Sequence, residues 1–313
     1  MSIDELSKAI GISTQEMWFT TSSKQTRYTH YTQRKSNGAL RHIYAPDKQL
    51  KKVQYAVLRG ALDLIELPNY LWAFERGKSV VDMARLHTGK TIVFSWDIKD
   101  YFTSIHQDLL EGLLQTYYDP QVAKYISELG TYKFFVPQGS LISPKLANIV
   151  TARTFGPDLE TYFLARGGVF SVYADDITVS FRRPVLLPEA QEFTVAVASS
   201  LLSHGFRLNR SKTKFMPKYK RQYVCGIVVN EKSTILRRDK RLLRAIVHNV
   251  SRNGIEAEAE KSDMSPEEFK STITGRLGWF RQVNSAQAAP LLTKWTAALS
   301  SQSLEPSHDT SAA

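Results

Sequence analysis

Val169-Phe170-Ser171-Val172-Tyr173-Ala174-Asp175-Asp176-Ile177-Thr178-Val179-Ser180-Phe181 sets two adjacent carboxylates inside an apolar run. Unpaired acids in such a setting are costly and would take up protons unless something stabilises their charge. Two strand-like stretches that meet at an Asp-Asp pair read as a β-hairpin whose tight turn presents both acids at one edge of a sheet. The usual partner of such a pair is a divalent cation, and Mg²⁺ is a hard ion that prefers carboxylate oxygen.

Two-metal nucleotidyl transfer requires a further carboxylate, because acids must bridge ions roughly 4 Å apart. Asp97 is the best candidate. It closes an apolar strand expected over Thr91 to Ile98, in Phe94-Ser95-Trp96-Asp97-Ile98-Lys99-Asp100-Tyr101-Phe102, and a neighbouring strand would bring it to the Asp175-Asp176 turn. Asp100 competes, but it lies beyond the strand end, where it would face solvent or cap the next helix.

The 313 residues are 42% hydrophobic, enough for a substantial core shared among two or three subdomains. No apolar run approaches the roughly 20 residues of a membrane span, and the acidic start Met1-Ser2-Ile3-Asp4-Glu5 is unlike a signal peptide, so the expected location is the cytoplasm, with no membrane partner. The single cysteine, Cys225, excludes an internal disulfide and any cysteine-based zinc site. The net charge of +11 is concentrated. Arg207 to Arg252 holds fourteen Lys/Arg against two acids, and Lys24 to Arg59 holds nine against one. Tyrosines interleave both segments, as in a surface that binds polyanions through phosphate contacts and stacking.

Capping boxes at Ser2-x-x-Glu5 and Ser13-x-x-Glu16 predict two short helices around Gly11 in an N-terminal element of residues 1–23. A hairpin over 24–45 with its turn at Asn37-Gly38 comes next, then a helix from Leu50 to Leu67. Helices are expected over 106–117, 120–130, 143–165 and 188–204, and a second hairpin over 221–229 and 233–238. Asp239 to Arg252 reads as a basic amphipathic helix. Ser265-Pro266-Glu267-Glu268 starts another that runs to Asn284, and a last helix covers 287–299. The Ser/Ala-rich end, 300–313, reads as a disordered tail.

These residues together resemble a reverse transcriptase, and within that family the bacterial retron type. Phe94 to Phe102 is similar to the first palm motif, and Tyr173 to Asp176 matches the YADD box. Pro137-Gln138-Gly139-Ser140-Leu141-Ile142-Ser143-Pro144-Lys145-Leu146-Ala147-Asn148 resembles the PQG…SPxLAN segment. Asn209 to Thr213 corresponds to the lysine motif, Arg41 to Pro46 to the RxIYxP stretch, and Val224-Cys225-Gly226 to a Val-Thr-Gly. The matches occur in family order over residues 41–226. Departures are Leu141 for a proline, Cys225 for threonine and Met83 for the asparagine of an Asn-Ala-x-x-His motif that ends here at His87.

The resemblance implies an α+β right-hand polymerase: fingers over 24–90 with part of 106–145, a ferredoxin-like palm over 91–238 and a helical thumb over 239–299. Asp97, Asp175 and Asp176 would hold two Mg²⁺ ions, and Lys212 would serve the departing pyrophosphate unless it is merely solvated. Phe102 would exclude a ribose 2′-hydroxyl, with an ordinary core ring as its rival. Gln138 and Gly139 would lie near the incoming base or form a simple loop turn. Arg41 would clamp the triphosphate or contact nucleic acid generically. Tyr173 would floor the primer terminus. Val224, Cys225 and Gly226 would grip the primer or make a plain strand bend, and Lys240, Arg241 and Arg244 would follow the duplex backbone. The implied partners are dNTPs, a structured noncoding RNA that is template and primer, its DNA product in a branched RNA–DNA hybrid (msDNA), and a separate toxin effector in an anti-phage system. Two further readings stand beside it: another prokaryotic defence or mutagenic-element reverse transcriptase without branched product, and an RNA-binding scaffold that silences a toxin. An RNA-dependent RNA polymerase is disfavoured by Ala174 and Phe102. Gly77-Lys78-Ser79 lacks the upstream glycine of a phosphate loop.

Overall fold

Alternation along one central strand decides which side chains enter the core. The computed structural model describes residues 1–34 and 38–302, the side chains of 301 and 302 excepted. It divides into two compact units, Met1–Met83 with Thr91–Phe215, and Ala84–Lys90 with Met216 onward. In the first unit β1 (Tyr28–Arg34) and β2 (Leu40–Pro46) form an antiparallel pair. Strands β3 (Ile92–Asp97), β4 (Val169–Tyr173), β5 (Asp176–Phe181) and β6 (Lys214–Pro217) form a sheet ordered β4-β5-β3-β6. The order of elements is strand, helices, hairpin, helix, strand, which is the β-α-β-β-α-β plan of a ferredoxin-like unit. The unit is α+β, in keeping with the fold class that the resemblance implies.

Side chains alternate across a sheet, so Phe94 and Trp96 of β3 share a face with Phe170 of β4 and Phe181 of β5 through the cross-strand register. That face is closed by Phe163 and Phe193 from the helices Phe155–Leu164 and Leu187–Ser203. Trp96 stacks on Phe94 at 5.3 Å between ring centroids and on Phe163 at 5.7 Å. Its indole N–H donates to Thr194 Oγ1 at 3.2 Å. Asp97 has the opposite parity and leaves this aromatic layer.

Most expected elements are present. The Ser2 capping box is made, Gly11 takes the left-handed C-cap, and Ser13 caps Thr14–Ser22. Pro120–Gly130 and Leu187–Ser203 match their expected spans closely. Several boundaries differ. The helix expected over 143–165 breaks at Thr154 into Ser143–Arg153 and Phe155–Leu164. A Cβ on Gly156 would lie 2.4 Å from both Thr151 O and the Tyr70 hydroxyl, so the break lets this segment close on its neighbours. The helix expected to reach Leu67 ends at Gly60, with a 3₁₀ turn at Leu62–Leu64. Of the Asn37-Gly38 turn, Asn37 lies outside the described residues.

The second unit contains β7 (Tyr223–Val224) and β8 (Ile227–Val228), followed by the helices Arg237–Glu260, Pro266–Val283 and Ser285–Gln302. The hairpin expected between 221–229 and 233–238 instead closes within 223–228, and Thr234 adds only a single bridge to Val228. Gly254, at φ +85°, interrupts the first long helix. The last helix runs to Gln302, past the expected start of a disordered tail, and 303–313 lie outside the described residues.

Phe163 is fully buried against Trp96, Phe170, Phe181 and Phe193. Phe163→Ala is expected to cost about 3–5 kcal/mol of stability in denaturant unfolding. A loss under about 1 kcal/mol would show that this aromatic layer is not the packed centre described.

Candidate active site

Strands β3 and β5 pair with Asp97 directly opposite Asp176, and β4 and β5 pair Tyr173 with Asp176. All three side chains therefore share the sheet face that the aromatic core does not use. Asp175 sits in the turn between β4 and β5, where Ala174 is left-handed at φ +56°. The Asp175 carbonyl accepts from Ile98 N at 2.9 Å, which ties the turn to the end of β3. The acids read from the sequence thus converge at one end of the sheet rather than along its side.

Burial sets their electrostatics. It pushes the Asp176 carboxyl up to about 6, with Asp175 and Asp97 adding like charge; Lys212 and Lys214 oppose the shift. Asp175 is raised by burial first and Asp97 second, while Lys212 and Arg41 oppose this. Such a trio is a concentrated negative charge short of counter-charge.

Asp97 is buried and fully engaged. Its Oδ1 accepts from Asn209 Nδ2 at 2.8 Å and its Oδ2 from Lys212 Nζ at 2.6 Å, and its carbonyl accepts from Asn209 N at 2.8 Å. The bond to Asp97 raises the Lys212 amine. Asn209 is therefore a positioning residue for Asp97. It stood inside the lysine motif in sequence, but only the pairing of residues 207–209 alongside residues 97–99 discloses its role. Asp100 takes the helix N-cap position with φ +49° and makes no side-chain cap.

The remaining expected residues of the first unit divide as follows. Arg41 is exposed on β2, and its charge reaches Asp175. The Gln138 carbonyl accepts from Tyr44 N at 2.7 Å. Gly139 follows at φ +106°, where an added Cβ would lie 2.9 Å from Tyr44 O. Backbone dihedral and close approach both require glycine there, so the Gln138-Gly139 loop is clamped to the same strand that carries Arg41. Phe102 is half-buried, edge-on to Tyr101 at 5.9 Å, and Tyr173 is half-buried. In the SPxLAN segment, Asn148 and Lys145 are structural: both bond Glu75, at 2.9 and 3.2 Å. Lys78 of the discarded phosphate-loop look-alike donates to Leu71 O at 2.8 Å.

In the second unit, Cys225 at φ +46° and Gly226 at φ +83° are the two central residues of the β7–β8 turn, the dihedral signs of a type I′ turn. A Cβ on Gly226 would meet nothing within 4 Å, so the dihedral and not crowding within this chain calls for glycine. Val224 is buried beside them. Arg241 and Arg244 are exposed, whereas Lys240 donates to Gln287 Oε1 at 2.6 Å. His87 is buried, and that burial, with Lys90 nearby, pushes its imidazole down to about 3.

A family described as "Reverse transcriptase (RNA-dependent DNA polymerase)" matches residues 33–272. The chain belongs to the reverse transcriptase family. The reverse transcriptase of retron Ec86 from Escherichia coli is 27% identical over 253 residues, 80% of this chain and 78% of that protein. Those of retrons Mx65 and Mx162 from Myxococcus xanthus are each 28% identical, over 84% and 79% of this chain but only 63% and 58% of their own lengths. These relatives bear out the retron-type resemblance. A solved telomerase from Candida albicans shares the fold, with a TM-score of 0.53 at 12% identity, over 90% of this chain and 64% of that one.

The family implies divalent metal. Among the described residues no three or more His, Cys, Asp or Glu side chains are gathered as a ready metal cage. The donor chemistry nevertheless fits a hard cation: three acids share one end of the sheet, and burial first, then the charge of neighbouring acids, raises two of them, Asp175 and Asp176.

Because the Asp176 pKa in the fold lies above its ordinary 3.8, folding binds this proton more tightly. That stabilisation is complete below about pH 4 and is lost as pH rises through about 6. In EDTA at pH 8, Asp176→Asn is expected to stabilise the protein by about 1–3 kcal/mol, a gain that shrinks as pH falls below 6. A variant no more stable than the parent at pH 8 would contradict this electrostatic account.

Proposed function

We propose that this reverse transcriptase copies a structured noncoding RNA into DNA by two-metal nucleotidyl transfer and leaves a branched RNA–DNA hybrid (msDNA), as part of an anti-phage retron system. The single observation that carries the reading is the pairing of Asp97 with Asp176 beside the Asp175 turn. Two Mg²⁺ ions held by these acids would lower the pKa of the primer hydroxyl and offset charge on departing pyrophosphate.

The chain's own residues supply positioning. Asn209 fixes the Asp97 carboxylate, and Lys212, bonded to the same carboxylate, would deliver a proton or a positive charge to pyrophosphate. The Arg41 charge reaches Asp175 and would suit a triphosphate, since guanidinium binds phosphate bidentately. Gln138 and Gly139 sit against the Arg41 strand and would border the incoming base, with Phe102 meeting its sugar and Tyr173 the primer end. Val224, Cys225 and Gly226 would hold the primer, while Arg241 and Arg244, with Lys240 behind them, would track the duplex.

The corresponding divisions are fingers over 24–90 with part of 106–145, palm over 91–238 and thumb over 239–299. Substrates are dNTPs, and a toxin effector would act in trans. No helix among the described residues is long and apolar enough to cross a membrane, in keeping with a cytoplasmic site of action.

Asp175→Asn is expected to lower DNA synthesis on an annealed RNA template by at least about 10²-fold. Phe102→Ala is expected to admit ribonucleotides. Nucleic acid that copurifies after expression with the flanking genomic region should contain DNA that shifts only after RNase or debranching treatment. Bare RNA with no DNA, or a phenotype that survives Asp175→Asn, would favour the silencing scaffold.

A further inference from the structure

The β1–β2 hairpin has two different faces. Cross-strand register and alternation place Tyr31, Gln33, Arg41 and Ile43 on one of them. This is the catalytic side, because Ile43 meets the Gly139 loop and the Arg41 charge reaches Asp175. Tyr28, His30, Arg34, His42 and Tyr44 occupy the other.

That second face carries a ladder of rings. His42 stacks on His30 at 5.2 Å and 12°, and the two are joined by a 2.9 Å contact between Nδ1 of His42 and Nε2 of His30. His30 stacks on Tyr44 at 4.8 Å and 22°, and Tyr44 packs on Tyr132 at 4.9 Å. The inner rings are half-buried and hold the hairpin down; His30 and His42 are exposed.

A strained turn adjoins the ladder. Tyr132 and Phe135 exchange backbone hydrogen bonds of 2.8 and 3.2 Å around Lys133 and Phe134, which sit at φ +49° and +65°. Two successive left-handed residues normally call for Asn-Gly, so a lysine and a phenylalanine there are held against their preference. The turn projects Phe134 into solvent, 71% exposed, and sets the Lys133 amine 5.4 Å from the Tyr132 ring centroid. Neither residues 28–46 nor 131–136 contain an acid. Exposed rings beside Arg34 and Lys133 complement an unpaired polynucleotide: bases stack on the rings and phosphates meet the cations.

We propose that this face of the hairpin, with the Lys133-Phe134 turn, is a second RNA site that holds unpaired nucleotides away from the catalytic acids. It rests on the reading of the chain as an RNA-templated enzyme. Its occupant is single-stranded RNA, and the rings give it no preference for a particular base.

The test uses the full chain with fluorescein-labelled oligoadenosine RNA, a blunt RNA duplex, and primer extension on a short annealed RNA template. In the His30→Ala/His42→Ala double variant, affinity for oligoadenosine should fall at least about fivefold, while duplex binding, primer extension and melting temperature stay at parental values. Lys133→Asn with Phe134→Gly relieves the strained turn, so it should raise the melting temperature and weaken oligoadenosine binding together. Parental affinity in both variants overturns the proposal and leaves the face for a protein partner. A parental protein that neither binds RNA nor extends a primer would instead overturn the polymerase reading on which the site rests.

Discussion

The pairing of Asp97 with Asp176 across β3 and β5 is the constraint on which the rest of the structure depends. A strand has only two faces. Once Phe94 and Trp96 are committed to the aromatic core, Asp97 must leave it, and the cross-strand register carries Asp176 and Tyr173 to the same side. A slip of one residue would turn an acid into that core and a large apolar ring out of it. The packing that stabilises the first unit is therefore also what gathers the negative charge.

That charge is balanced locally and incompletely. Asn209 and Lys212 satisfy Asp97 from the segment that enters β6, whereas Asp175 and Asp176 keep raised pKa values despite three nearby cations. Charge concentrated on a rigid sheet end, with half-exposed acids, suits a mobile cationic partner better than a permanent salt bridge. The clamp of Gln138 on Tyr44 fixes the loop beside the Arg41 strand, so this side of the hairpin is held by backbone bonding and not by side-chain packing alone.

Much of this was legible in the sequence because it rests on local signals. An Asp-Asp pair in an apolar run, a strand ending in Asp97, serine N-caps and Pro-led helices each specify structure within a few residues. What was hidden depends on long-range contact. The break at Thr154 reflects the crowding of Gly156 by Tyr70, more than eighty residues away in the chain. The short β7–β8 hairpin is set by a left-handed Cys225, which no periodicity announces. Asn209 looked like part of a lysine motif, and the roles of Lys145 and Asn148 around Glu75 emerge only when residues 73–75 return beside them. The stacked histidines likewise need the strand register before they become neighbours.

The central claim is that acids far apart in sequence act on one cation site. Mn²⁺ binding followed by electron paramagnetic resonance tests it directly, on the parental protein and on Asp97→Asn, Asp175→Asn and the double variant. Each single change should weaken the same site, and the double change should cost less than the two losses combined, as expected for ligands that share an ion. Unaltered Mn²⁺ binding in Asp97→Asn would contradict the account.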